Sequence, residues 1–430
     1  MKLNWFSALP PARTDIAHYT ARVLPALTAR ADVTLWTDQS NWDRSLERYA
    51  AVRSFQHATI SWPQVHRGGL CVYNIGNSAE FHGATWEIGR QNPGVVILHD
   101  LCLQHLFASV YLEQRRDRGG YLAAMQRYYG LQGAKDADDY CDQHLSTEYM
   151  GWVYPLTHHA LENALGVVVH TRPAFESLNH SSRWPLTCAP LPYGASARQF
   201  SARPAHAPYR LIVFGHLGRN RRLDQILQAF TEFSDRDAFH LDIYGQIWDP
   251  VSLRARVQAL QLGRHVTLHG FVAEDQLDAA LAVAHLALNL RYPSVGEASG
   301  SQLRIWDHAL PSLVTRTGWY ATLPEDSVAF VNPEQEVAEL QDHWRTFLAD
   351  PDHFARMGER GRRMLEQEHA PEAYVETLLD FIGRPQQLGL RASAQALAKR
   401  AGAEMSAWMS GDYADDVFRH VAEQIRVLTL

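Results

Sequence analysis

The sequence predicts an α/β chain of two doubly wound domains that face a common cleft, followed by C-terminal helices. Three observations predict it. The length, 430 residues, exceeds what one ordinary core fills, and two domains of roughly 200 residues each are the natural division. Short apolar runs alternate with longer amphipathic stretches, the pattern of βαβ units in parallel sheets. That pattern stops at a proline-rich stretch and then begins again.

In the first half the expected buried strands are 3–7, 32–37, 70–75, 95–99 and 166–170. Each is too short for a helix, and several are rich in Val and Ile, as a sheet covered on both faces requires. Helical patterns lie between them, 16–27 and 152–164 among them. Residues 101–143 carry no strand signal and read as the body of a helical insertion, 101–150, with Gly119-Gly120 and Gly130 as breaks. This gives a first Rossmann-like domain over 1–190. Pro185, Pro190, Pro192, Pro204 and Pro208 then mark a linker, 191–209. The second series of expected strands is 210–214, 239–244, 265–268, 286–290, 312–315 and 328–331, with helices such as 223–233 and 274–284 between them. It forms a second Rossmann-like domain over 210–383. Its last helices are 336–348, 351–368 and 371–381. The latter two open with Pro, which is tolerated at a helix start. A helical tail, 384–430, either packs on the domains or serves a contact with another copy or a membrane surface.

Composition narrows the function classes. Hydrophobic residues make up 46% and charged residues 20%, and the net charge is −7. A nucleic-acid partner is not expected of such an acidic chain. Cys71, Cys102, Cys141 and Cys188 form no C-x-x-C pair, so neither a zinc site nor a disulfide framework is expected, and a reducing cytoplasm fits. The N-terminus lacks the long apolar core of a signal peptide, and no run approaches the ~18 apolar residues of a spanning helix. The expected location is cytoplasmic, with any membrane contact peripheral at the inner face. The 22 histidines are scattered, and no metal or cofactor is expected.

Ligands of doubly wound domains bind beyond the C-terminal ends of the strands, so polar residues just past the strands carry the chemistry. His99 and Asp100 follow the 95–98 run. A histidine there can bond a sugar hydroxyl or take a proton near neutral pH, while Asp100 serves either the site or the N-cap of a helix from Leu101. The first loop leads into Asp15, Ile16 and Ala17. It is either an ordinary capped loop or an approach to a ligand through backbone N–H groups at the helix start. Gly76-Asn77 is a turn or lines the acceptor side. In the second domain, Gly215 and His216 precede Arg219, Arg221 and Arg222. Glycine permits close backbone approach, and arginines beside a helix start suit a pyrophosphate whose charge builds as it leaves. After the 286–290 strand, Gly296 and Glu297 precede Ser299, Gly300 and Ser301, which open a helix and leave N–H groups for phosphate oxygens. Gly270-Phe271 either meets a nucleobase or makes a tight turn. Arg115, Arg116, Arg118, Tyr128 and Tyr129 of the insertion form a solvated face or touch an anionic lipid or a lipid-linked acceptor.

The block from Leu290 through Glu297 and Ser299-Gly300-Ser301 to Thr315, extended by Gly318-Trp319-Tyr320, resembles the donor loop of retaining GT-B glycosyltransferases of family four. The resemblance to the bacterial polysaccharide-building members spans roughly 3–383. It implies phosphate contacts from Arg221 and the N–H groups near Ser299–Ser301, a donor-sugar contact from Glu297, and His99 near the sugar's reactive face. It further implies a nucleotide-sugar donor of UDP or GDP type, retention without a metal, and a glycan, lipid-linked or protein acceptor. Three departures stand out. His216 replaces a basic residue. The family's second glutamate would fall near Arg304 or Ile305, with Asp307 as the nearby substitute. Asp15 replaces the first-loop glycine. A non-catalytic partner subunit is therefore the alternative, and a sugar-nucleotide epimerase a weaker one.

Overall fold

In the computed structural model the two series of apolar runs become two parallel sheets. The structure describes residues 1–384 except 57, 182 and 198–202, and beyond them 388, 394, 397, 398, 401, 402, 405 and 412–427. Part of the expected linker and about half of the expected tail, including 406–411 and 428–430, lie outside the described residues.

The first sheet contains β1 (Lys2–Phe6), β2 (Asp32–Thr37), β3 (Ala51–Ser54), β4 (Leu70–Ile75), β5 (Gly94–Leu98), β6 (Ala164–Val169) and β7 (Leu186–Cys188). Its spatial order is β3-β2-β1-β4-β5-β6-β7. β5 and β6 are buried along their whole length, which is why their sequences are unbroken Gly, Ala, Val, Ile and Leu rather than alternating. The edge strands β3 and β7 were not expected. β3 is short and mostly exposed, and an exposed edge strand carries no apolar run to read.

The second sheet contains β8 (Tyr209–Leu217), β9 (Phe239–Ile247), β10 (Val266–Gly270), β11 (Leu286–Asn289), β12 (Ser312–Thr315) and β13 (Ala329–Val331), in the order β10-β9-β8-β11-β12-β13. Every registered pair in both sheets is parallel, for example Leu98 opposite Val169 and Phe214 opposite Tyr244. All strand C-termini of a sheet therefore leave by one edge, and Rossmann-like domains of this kind place their ligand residues there.

By contacts the chain divides into Met1–Pro190 with Pro371–Leu430, and Leu191–Ala370. Here the structure departs from the expected boundary at 383. The helix Pro371–Ile382 packs on the first unit, and Tyr374 Oη lies 2.6 Å from Tyr19 Oη of the helix Asp15–Thr28. Gly166 of β6 makes room for it, because a Cβ there would stand 2.8 Å from Phe381 Cζ. A helix 152–164 does not form. That stretch holds the end of the helix Thr147–Val153, the short helix Thr157–Ala160 and the start of β6. Pro155 intervenes, and a proline disfavours helical backbone in the residue before it. In the insertion, Gly119-Gly120 opens a helix rather than breaking one. Asp117 caps Arg118–Cys141 by accepting from Gly120 N at 2.7 Å, and the interruption falls at Gly130, φ 70°. Among the described residues no helix is long and apolar enough to cross a membrane.

Candidate functional site

In the first unit, β4 and β5 run side by side with Ile75 opposite Leu98, so the segments after them emerge together. Gly76 lets these segments close up. A Cβ at Gly76 would lie 2.5 Å from Ile16 Cδ1, 3.0 Å from His82 Nε2 and 3.1 Å from Asp100 Oδ2. Asp100 Oδ2 accepts from Asn77 N at 2.8 Å, and Asn77 Oδ1 accepts from Leu106 N at 3.1 Å. Asp100 is thus not the cap of a helix from Leu101. The next helix begins at Gln104 and has no side-chain cap, because Asp100 is spent on tying the loop after β4 to the loop after β5. At the first loop, Thr14 caps the helix Asp15–Thr28, accepting from Ile16 N. Ile16 and Ala17 are buried, and Asp15 is exposed at the first helical position.

His99 is buried, and both its ring nitrogens are engaged. Nε2 lies 3.1 Å from Asn74 Oδ1 and Nδ1 lies 3.2 Å from His170 Nε2. A bond to a ligand hydroxyl would have to replace one of these contacts. The Tyr19 ring meets the imidazole edge-on at 4.7 Å. Burial, then the neighbouring His170 and His82 imidazoles, push the His99 pKa well below the usual histidine range. His82 is pushed down to about 4 by burial. The sequence reading did not single out Asn74, His170 or Tyr19. His170 carried the same signal as His99, a polar residue just past a buried strand.

In the second unit, β8 and β9 stay paired to their ends by a glycine pair. Gly215 (φ 108°) lies opposite Gly245 (φ 118°), and a Cβ on Gly245 would stand 2.0 Å from Gly215 O. Such φ values favour glycine. The chain then returns so that Arg221, only 3% exposed, donates from Nη2 to Phe214 O at 2.8 Å. A Cβ at Gly215 would lie 3.5 Å from Ser301 Oγ and 3.7 Å from Arg221 Nη2. Ser299 caps the helix Gly300–Asp307 by accepting from Gln302 N at 3.1 Å. Gln302 is itself held by Asn289 Nδ2 at 2.9 Å and Ser312 Oγ at 2.8 Å. The first N–H groups of this helix, at Gly300 and Ser301, have no partner within the helix. Gly215, Arg221 and Ser301 thus come together beside a helix N-terminus, an arrangement suited to an anion.

The other expected donor residues are placed differently. Arg222 is spent on Glu336, donating from Nε to Oε1 at 3.0 Å and Oε2 at 2.8 Å; nothing in the local sequence signals a partner 114 residues away. His216 is exposed. Gly270 (φ 71°) and Phe271, 63% exposed, stand at the end of β10, on the same sheet edge as Gly215. Glu297 follows Gly296 (φ 83°), and its carboxylate is bonded into its own loop. Oε1 pairs with Arg291, and Oε2 accepts from Val295 N at 2.9 Å and Ser294 Oγ at 3.2 Å. Asp307 does not replace the missing glutamate. It is buried, accepts from Ser196 N at 2.8 Å and Oγ at 2.9 Å, and pairs with Arg362. In the insertion, Arg115 pairs with Glu87 and Arg118 with Asp138 and Asp142; Tyr128 donates to Glu162 Oε1 at 2.5 Å, and Tyr129 Oη accepts from Leu156 N. Two of the three arginines of that face, Arg115 and Arg118, are therefore paired within the chain.

Residues 197–364, within the second unit, match the family described as Glycosyl transferases group 1. No curated protein matches the chain significantly. Among solved structures, HepE of Anabaena in complex with UDP and glucose is similar with a TM-score of 0.62 at 12% identity, covering 89% of this chain and 100% of that one. Sucrose-phosphate synthase of Thermosynechococcus elongatus has a TM-score of 0.62 at 16% identity, covering 89% and 99%. WaaG, a glycosyltransferase involved in lipopolysaccharide biosynthesis, has a TM-score of 0.57 at 15% identity, covering 88% and 99%. At these identities the likeness establishes the fold, that of the GT-B glycosyltransferases.

Proposed function

We propose that this chain is a glycosyltransferase that binds a nucleotide-sugar donor of UDP or GDP type and transfers the sugar with retention of configuration. The observation that carries the reading is the convergence of Gly215, Arg221 and Ser301 at the N-terminus of the helix Gly300–Asp307. Breaking a glycosidic bond to a diphosphate leaves negative charge on the departing oxygen. A buried guanidinium and fixed N–H dipoles stabilise that charge where it develops. In this reading Arg221 and the helix start do the work that a divalent cation would otherwise do. HepE, whose structures contain UDP and UDP-glucose, supports a donor of the uridine class. The product is a polysaccharide or other glycoconjugate, the acceptor a glycan, a lipid-linked sugar or a protein, and the place of action the cytoplasm or the inner membrane face.

Glu297 anchors the donor loop through Arg291, Ser294 and Val295, and contact with the donor sugar would come by exchanging one of those partners for a sugar hydroxyl. Calorimetry with a panel of nucleoside diphosphates and nucleotide sugars, on wild type and Glu297→Ala, tests the reading. Millimolar or tighter binding of one nucleotide, weakened in the variant, is the expected result. Folded protein that binds none of them defeats it.

One observation favours a second reading, a non-catalytic partner subunit. The carboxylates of Glu297 and Asp307 are both committed to internal bonds. Donor hydrolysis or transfer by the purified chain alone separates the two.

A further inference from the structure

The buried histidine pair at the carboxyl edge of the first sheet poses a proton-counting problem. His170 Nδ1 lies 3.0 Å from Ala189 O, a carbonyl that can only accept, so Nδ1 carries a hydrogen. At the other end, His99 Nε2 lies 3.1 Å from Asn74 Oδ1. The Asn74 amide cannot be turned round without loss, because its Nδ2 donates to Phe6 O at 3.1 Å. Turned round, it would set Oδ1 against that carbonyl. His99 Nε2 therefore also carries a hydrogen. If both rings were neutral, His170 Nε2 and His99 Nδ1 would face each other across 3.2 Å as two lone pairs, a buried contact with no hydrogen in it.

We infer that His99 and His170 hold one bridging proton between them, with His170 donating through both nitrogens, to Ala189 O and to His99 Nδ1. His170 is thereby the positioning residue that fixes the tautomer and ring plane of His99. The assignment leaves His99 neutral, in keeping with its lowered proton affinity in this buried place, and puts the charge on His170.

The groups around the pair come from several elements. Tyr19 of the helix Asp15–Thr28 lies against both rings, at 4.7 Å and 5.7 Å. Tyr374 of the helix Pro371–Ile382 lies 5.8 Å from His170. His82 of the helix Ala79–Gln91 acts on His99 through its charge when protonated. Asp100 follows His99 in the chain and reaches toward His82 across Gly76. The two phenols are held neutral by burial. The proton count does not depend on the transferase reading. Only its consequence for turnover does, through the orientation of His99.

The test is the protonation pattern of the ring nitrogens in the full chain, labelled with 15N-histidine and followed by NMR across the pH range in which it stays folded. Three protonated nitrogens in the pair over at least part of that range is the expected result. Where deprotonation is reached, one proton leaves in a single step and comes from His170 Nε2. Two protonated nitrogens at every pH in that range overturn the inference, whatever the variants do. His170→Gln supplies a neutral amide donor to His99 Nδ1. It should keep His99 in the Nε2–H tautomer and abolish the step together with its inflection in the pH profile of donor turnover. A step that survives in His170→Gln belongs elsewhere and also overturns the inference. Failure of the proton count with nucleotide binding intact removes this inference alone, and the reverse outcome removes the transferase reading alone.

Discussion

At the scale of the residue, the donor cradle depends on what Gly215 lacks. Its φ of 108° is one that a side chain adopts only with strain, and a Cβ would enter the space shared by Ser301 Oγ at 3.5 Å and Arg221 Nη2 at 3.7 Å. Neither distance is a clash, so Gly215→Ala should fold. The strain should cost about 1–3 kcal/mol of stability. The larger effect should fall on the ligand, because the methyl occupies the place where a phosphate oxygen would meet the guanidinium and the helix N–H groups. We expect diphosphate affinity to fall about tenfold or more, equivalent to ~1.4 kcal/mol, as read by calorimetry alongside a denaturant titration. A variant that loses stability and keeps its affinity would show that the cradle does not hold the diphosphate. Gly245→Ala is the contrasting case. Its Cβ would stand 2.0 Å from Gly215 O, so backbone must move, and the loss should appear first in stability.

At the scale of the element, the helix Pro371–Ile382 shows what local pattern can and cannot say. Its amphipathic repeat and its opening proline are visible in the sequence, yet the unit it joins is set by partners far away in the chain. Tyr374 and Tyr19 are both buried, and their hydroxyls lie 2.6 Å apart across 355 residues. Tyr374→Phe should leave one buried hydroxyl without its partner and cost about 1–3 kcal/mol. The Tyr19→Phe/Tyr374→Phe double variant should recover part of that loss, which a double-mutant cycle in denaturant measures. Additive losses would show that the bond does not hold this helix in place. The same distinction runs through the site. The positions of the central strands, the Ser299 cap and the glycine turns are local and were legible, since each depends on residues within about four positions, but β8 and β9 run on to Leu217 and Ile247, past their expected ends at 214 and 244, because the glycine pair continues the ladder. The commitments of Arg222 to Glu336, Asp307 to Arg362 and His99 to Asn74 were not, because each joins charges or rings that only the tertiary fold brings together. Asp100 was left open between two roles for a related reason. A carboxylate just past a strand and just before a helical pattern has the signature of a cap, and the competing acceptor role toward Asn77 N leaves no local trace.

At the scale of the whole molecule, the burial of histidines sets how the protein responds to acid. His82 and His159, both in the first unit, are pushed by burial from the usual 6.5 down to about 4. The unfolded chain therefore takes up these two protons at a higher pH than the folded one does. The stability they contribute is fully present above about pH 6.5 and is lost as the pH falls toward 4. At pH 5 each imidazole is about one and a half pH units below its unfolded pKa, a loss of about 2 kcal/mol for each. His99, lowered by the same burial, adds in the same direction. Denaturant midpoints at pH 7 and pH 5 should show a clear loss for wild type, about 2 kcal/mol of it abolished in His159→Gln, where the imidazole that accepts from or donates to Tyr111 Oη is replaced by a non-titrating amide. A midpoint independent of pH over this range would mean that these histidines are open to water in solution. The packing of Trp86, Phe107 and Tyr111 around His159 would then be looser than its geometry requires.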